Sequence, residues 1–244
     1  YRMYVESGFD YLYDKVGMYD CIRGVMCDER PASSITHEWQ QVDDIRDHML
    51  YFLENHDEQR IGSDFFAGNP WKGVPGMIVS ALLQQNPVMI YAGQEFGERG
   101  MDKEGFSGQD GRSTIFDYWT SDAIYKGFFN RKALTIDEKK LSLVYQGLLR
   151  FCNREKAVRE GQTFDLMYVN NQSYQFNPRK QFAFLRKADD EVLLVVANFD
   201  QKRVYINVVI PSHAYDFLAL PEQEVEITDL LSGFTKVVDL KRDG

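Results

Sequence analysis

The sequence predicts two kinds of structure in succession, an α/β unit over residues 1–158 and an all-β unit over residues 159–244. Two observations carry this. From about residue 9 to 92, apolar segments of strand and helix period alternate at the spacing of parallel strands joined by helical crossovers. After Gly161 the pattern changes to short runs rich in β-branched and aromatic residues, separated by turn signals.

Taken in order, residues 1–6 read as the end of a helix stopped by Gly8, and residues 9–14 alternate ring and carboxylate as a strand does. Ser33 or Ser34 caps a helix whose Ile35, Trp39, Val42, Ile45 and Met49 share one face. Residues 51–54 form the next strand. A helix over about 74–85 is stopped by Asn86-Pro87, and 88–92 is a continuous apolar run of the kind found in strands covered on both faces. From residue 93 to about 120 comes a long loop carrying Gly93, Gly97, Gly100, Gly105, Gly108 and Gly111, and loops of that length are functional or mobile. A helix over about 137–156, with Leu141, Val144, Tyr145, Leu148, Leu149 and Cys152 on one side, closes the α/β unit. Strands are then expected at 163–169, 181–187, 192–199, 204–210, 224–230 and 234–240, with turns at Asn177-Pro178, Asp189-Asp190 and Ser232-Gly233, as in an antiparallel β-sandwich.

The chain of 244 residues, 44% hydrophobic and 27% charged, is long enough for a substantial core. Its 28 basic against 37 acidic residues give a net charge of -9, and no basic run interleaves with aromatics, which disfavours nucleic acid and anionic membrane as partners. No apolar run reaches the roughly 18 residues of a membrane span. Cys21, Cys27 and Cys152 form neither a disulfide framework nor a metal-ligand pair; they read as buried free thiols and leave the compartment open.

Chemistry in a parallel α/β unit gathers beyond the carboxyl ends of the strands. Asn55, His56 and Asp57 stand at such an end in the stretch Tyr51-Phe-Leu-Glu-Asn-His-Asp-Glu-Gln-Arg60, and Gln94 and Glu95 stand at the next. No further His or Cys lies at metal-ligand spacing, so no metal is assigned, and no Gly-x-Ser-x-Gly offers a nucleophile for a Ser-His-Asp triad. Two readings remain. Carboxylate and imidazole hold the hydroxyls of a sugar, or Asp57 caps the following segment and His56 is a satisfied, half-buried histidine.

The motif Phe52-Leu-Glu-Asn-His-Asp57 resembles the seventh-strand signature of the α-amylase family of glycoside hydrolases, retaining enzymes built on a (β/α)8 TIM barrel. Pro87-Val-Met-Ile-Tyr-Ala-Gly-Gln-Glu95 resembles the eighth strand and its exit, Phe9-Asp-Tyr-Leu-Tyr-Asp-Lys15 the sixth-strand region, and the all-β third the antiparallel domain that follows the barrel. The resemblance covers essentially the whole chain. It implies a partial barrel, its last strands and helices, followed by the β-sandwich, and an intact enzyme that cleaves α-glucosidic bonds in starch- or glycogen-like α-glucans or transfers them, as branching-type members do. It makes Asp57 the carboxylate that grips ring hydroxyls and stabilises the transition state, and His56 a hydrogen-bond partner of the same sugar. Asn55 is a further candidate contact of that sugar, although it more readily keeps the turn in shape, and Glu54 receives no role. Glu95 and Trp71 are candidate sugar contacts. Phe106, Tyr118 and Trp119 lie beside the same mouth, where stacking on sugar and packing within the loop are equally open. The resemblance calls for no cofactor, with calcium conceivable only in the intact enzyme, where family sites draw on a domain inserted earlier in the barrel.

The family's Asp nucleophile and Glu acid/base motifs are not found in this sequence, so the chain reads as a truncation and its expected activity is nil. Asp10, Asp14, Glu95, Glu98 and Asp110 are other strand-end carboxylates without a family match; Asp14 and Lys15 read as an ordinary solvated or paired couple. The partner implied is an α-glucan or malto-oligosaccharide. The rival is a non-catalytic carbohydrate-binding module, which needs an exposed aromatic platform, whereas Phe182, Phe184 and Tyr205 alternate as core residues. A third expectation follows from open barrel edges: self-association, contradicted by a strictly monomeric sedimentation profile at high concentration.

Overall fold

A computed structural model describes residues 1–102, 109–116 and 120–242 of the chain. Gly105, Gly108, Phe106, Tyr118 and Trp119 lie outside the described residues. The first half is built on a three-stranded parallel sheet. Helix α1 (Arg2–Glu6) ends before Gly8, whose φ of 95° turns the chain into β1 (Leu12–Tyr13). Helices α2 (Asp20–Met26) and α3 (Ser34–Gln41) carry it across to β2 (Met49–Phe52), and α4 (Gly73–Leu82) leads to β3 (Val88–Met89). The sheet order is β1-β2-β3, with Leu12 opposite Met49 and Tyr51 opposite Val88.

Several expected boundaries shift for identifiable reasons. The helix expected through Met49 stops at Gln41, where β-branched Val42 leaves helical geometry at φ −115°. A 3-10 segment, Asp43–His48, follows, keeps Ile45 buried and frees Met49 for the sheet. Ser33 makes no side-chain cap; its N–H instead donates to the Pro178 carbonyl, 2.9 Å away. The run at 88–92 yields only a two-residue, half-buried strand, because β3 is an edge with one neighbour.

Asp14 and Lys15 are not a couple. Lys15 pairs with Asp20 at 2.7 Å and with Glu58 at 3.4 Å, while Asp14 is buried and one of its carboxylate oxygens has no hydrogen-bond partner. Burial raises the Asp14 carboxyl above the ordinary range, partly opposed by the N–H groups of Met18 and Gly17. A raised folded-state value gives stability at acid pH that is lost as pH rises through it. Asp14→Asn keeps the oxygen that accepts from Gly17 and is expected to gain thermal stability over the natural chain as pH rises from the ordinary carboxylate value toward neutrality. Parallel melting curves across that range would contradict this.

Helix α5 (Asp122–Phe129) was not foreseen in the sequence, whereas α6 (Ile136–Arg154) falls where its apolar face predicts it. Thr135 and Glu138 form a reciprocal capping box at its start, and Leu141, Tyr145 and Leu148 are buried, but Leu149 is exposed. A short α7 (Lys156–Arg159) precedes the second half.

The second half holds β4 (Gln162–Asp165), α8 (Met167–Asn170), β5 (Gln181–Ala188), β6 (Glu191–Asn198), α9 (Ser212–Leu218), β7 (Glu224–Thr228) and β8 (Thr235–Asp239). Strands β4-β5-β6 form one antiparallel sheet and β7-β8 a separate pair, so the described residues make neither a closed barrel nor a two-sheet sandwich. The Asp189-Asp190 turn is confirmed, since Ala188 pairs with Glu191 and Asp189 takes φ 49°, as tight hairpins require. Residues 204–210 form no strand; Tyr205 is 85% exposed, Val208 and Ile210 pack half-buried against the core, and Phe182 and Phe184 are fully buried. Strand β5 is buried from Gln181 to Arg186, packed against α7 and α8 instead of a second sheet.

One apolar cluster runs through both halves, from Met18 and Met49 to Phe182 and Tyr215. Polar bonds lock the junction. Arg186, fully buried, donates to the carbonyls of Leu82, Ala157, Val158 and Gly161 at 2.8–3.2 Å. Among the described residues no carboxylate pairs with it, and burial pulls its guanidinium down to about 10. Asp165 on β4 accepts from Thr36 Oγ1 and Trp39 Nε1 on α3, at 2.7 and 3.0 Å.

Candidate functional site

Strand β2 is buried through Leu53, and the chain then turns sharply. Asn55, 7% exposed, makes the turn: its amide oxygen accepts from the N–H groups of Asp57 and Glu58, both at 2.9 Å. That leaves His56 and Asp57 at the apex with side chains 53% and 73% exposed, Nε2 and Oδ2 lying 3.4 Å apart. An imidazole and a carboxylate so placed face solvent together, and Asp57 does not cap the segment after it.

The turn is clamped from below. Glu54 and Arg60, 2% and 1% exposed, are ion-paired at 2.8 Å, and the second Glu54 oxygen accepts from the Ile61 N–H at 2.7 Å. Arg60 also donates to Ser113 Oγ at 2.5 Å and to the Ala92 carbonyl at 2.9 Å, and it lies 4.1 Å over the Tyr91 ring. The exits of β2 and β3 are thus tied together by one guanidinium. Burial raises the Glu54 carboxyl, opposed by Arg60 and the Ile61 N–H. Part of the glycine-bearing loop is held in the same place: the Arg60 N–H donates to Gly111 O at 2.8 Å, and a Cβ on Gly100 would come within 2.5 Å of that same oxygen.

The far side of the turn is braced by Glu58, which accepts from the Tyr19 hydroxyl at 3.0 Å and pairs with Lys15. Tyr19 stacks on Phe52 at 4.9 Å, and Arg23 bridges Tyr19 and Gln59. Neither Glu54 nor Glu58 is therefore a free carboxylate beside Asp57.

The other candidates lie elsewhere. Gln94 points inward to the Tyr145 hydroxyl at 3.1 Å, and Glu95 accepts from the Gly93 N–H of its own turn at 3.0 Å. Trp71 lines a cleft of about 470 Å³ to which neither His56 nor Asp57 contributes. Arg60, Glu58, Tyr19 and Ser113 were not identified from sequence; the only signal was a carboxylate and an arginine flanking Asn-His-Asp six residues apart. All three thiols are free, but of the three expected to be buried Cys27 and Cys152 are half-buried; burial pushes Cys21 up to about 12. Among the described residues no helix is long and apolar enough to cross a membrane.

No protein-family model and no curated protein matches the chain. Solved structures do. The fold is similar to that of a noncanonic maltogenic α-amylase, AmyB, from Thermotoga neapolitana, with 15% identity, a TM-score of 0.61, and coverage of 98% of this chain and 48% of that one. It is similar to AmyP in complex with maltose at 15% identity and a TM-score of 0.62, covering 99% of this chain and 50% of that chain. A γ-CGTase from alkalophilic Bacillus clarkii matches at 16% identity and a TM-score of 0.55, over 93% of this chain and 29% of the other. At these identities the likeness establishes the fold, a mixed α/β architecture of the α-amylase type, and the chain spans about half of the first two structures or less of the third.

Proposed function

We propose that this chain is the glucan-gripping part of an α-amylase-type carbohydrate-active protein, binding an α-glucan or malto-oligosaccharide through His56 and Asp57 without cleaving it. The observation that carries this is the exposed His56–Asp57 pair on a turn whose base is a buried ion pair. Asp57 offers two acceptors to vicinal ring hydroxyls and His56 a ring nitrogen to the same sugar. Where a glucosidic bond is broken in the intact protein, the Asp57 carboxylate is placed to balance positive charge on the ring. A maltogenic amylase and a CGTase share the fold, so both cleavage and transfer of glucosyl groups remain within this proposal. The division into a barrel portion, 1–158, and an all-β portion, 159–244, belongs to it as well.

Retaining chemistry needs two carboxyl groups about 5–5.5 Å apart. The carboxylates flanking Asp57 in sequence are engaged by Arg60, Tyr19 and Lys15. Incubation of the chain with soluble starch is expected to release no reducing ends above a buffer blank, and measurable turnover would overturn binding without cleavage.

A second reading places the sugar on the all-β half, as in a carbohydrate-binding module. Tyr174 and Tyr205 favour it, being 80% and 85% exposed on segments joined by the Asn207 N–H to Gln175 O bond of 3.4 Å. Self-association stays part of the proposal, supported by the unpaired outer edges of β1 and β3 and by exposed Phe9, Tyr11 and Val16 beside β1.

A further inference from the structure

The cleft that holds Trp71 has a composition of its own. It runs between the turn before α4, the loop after β3 and the first turns of α5 and α6, and its volume of about 470 Å³ lies within the roughly 300–1,000 Å³ usual for small-molecule sites. Phe96 and Leu141 supply an apolar floor, and Trp71, 36% exposed, stands in the wall. The backbone of Trp71 is fixed by its N–H bond to Asn69 Oδ1 at 3.0 Å, and its indole N–H has no acceptor among the described residues.

Charge narrows the ligand. Five lining side chains are carboxylates against one guanidinium, and that guanidinium, Arg99, is engaged by Asp64 at 2.8 Å and the Gly62 carbonyl at 2.9 Å. The neighbouring Lys126 is held by Asp122 and Glu138. Among the described residues the one guanidinium lining the cleft is already paired and is outnumbered by carboxylates, which disfavours phosphates and acidic ligands. Asp102 and Asp137 are exposed and have no hydrogen-bond or ion-pair partner among the described residues. Among the described residues no group of three or more could hold a metal ion. Dispersed acceptors around an indole face and an apolar floor match a ligand with apolar C–H faces and hydroxyls around its edge.

We infer that this cleft is a second carbohydrate-binding site, taking a neutral oligosaccharide with Trp71 under a sugar face and Asp102 and Asp137 accepting from its hydroxyls. It goes beyond the strand-end site and does not depend on it.

The test is a titration of the full ¹⁵N-labelled chain with maltoheptaose, following the Trp71 indole N–H signal, which is identified by its loss in Trp71→Phe. The expected result is a saturable shift at millimolar ligand that persists in Asp57→Asn. In the Asp102→Ala/Asp137→Ala variant it weakens at least tenfold, with the remaining spectrum showing a folded chain. No shift of that signal in a chain that still binds maltoheptaose through Asp57 overturns the cleft and leaves the strand-end site standing. Loss of the shift in Asp57→Asn overturns its separateness. A shift with spermidine and none with maltoheptaose overturns the ligand class.

Discussion

Replacing Arg186 with methionine is expected to lower folding stability by about 3–5 kcal/mol, a large share of a typical domain's margin. Methionine fills much of the space but donates nothing, so four carbonyls lose a charged donor at once, although Gly161 O keeps the Gln85 side-chain amide and Ala157 O keeps the Gly161 N–H. Those carbonyls come from α4, from α7 and from the turn into β4, so the damage falls on the junction between the halves. Urea unfolding followed by circular dichroism measures the loss, and splitting of one transition into two would show the halves uncoupling. A change below about 1 kcal/mol would mean the carbonyls find other donors.

Arg60→Met is expected to cost a similar amount, about 3–5 kcal/mol, because it leaves Glu54 charged and buried without its partner. The double variant Glu54→Met/Arg60→Met removes both charges and is expected to recover much of that loss, as apolar replacement of buried ion pairs does. Its glucan affinity is not expected to recover, since the turn carrying His56 and Asp57 has lost both its bonds to the β3 exit and the Ile61 N–H acceptor. Unfolding free energies and maltoheptaose affinities of the natural chain and the two variants give the comparison. A double variant as unstable as Arg60→Met would assign the cost to packing.

The buried strand with a polar exit was legible in sequence because three apolar residues run into Asn55-His56-Asp57, and the parallel pairing of β2 bears out that part of the reading. The Asp189-Asp190 hairpin was legible for the same reason: it is local chemistry. What escaped depends on partners distant in the chain. Strand β5 alternates as though one face met a second sheet, yet its cover is helical, and nothing within residues 181–188 reports that. Charged residues are read by default as surface, which hid Arg60, Arg186 and Asp14, all buried by groups from other elements. Trp71 and Asp57 looked like neighbours because both follow β2, but the segment between them carries Trp71 to a separate cleft.

The most direct measurement is titration calorimetry of maltoheptaose in a Trp71→Ala background, which silences the cleft. Asp57→Asn is expected to weaken binding at least about tenfold, roughly 1.4 kcal/mol, while Tyr174→Ala/Tyr205→Ala leaves it unchanged. Equal affinity with and without the Asp57 carboxylate, or loss of binding on removal of the two tyrosines, would contradict the assignment of glucan binding to the turn at His56 and Asp57.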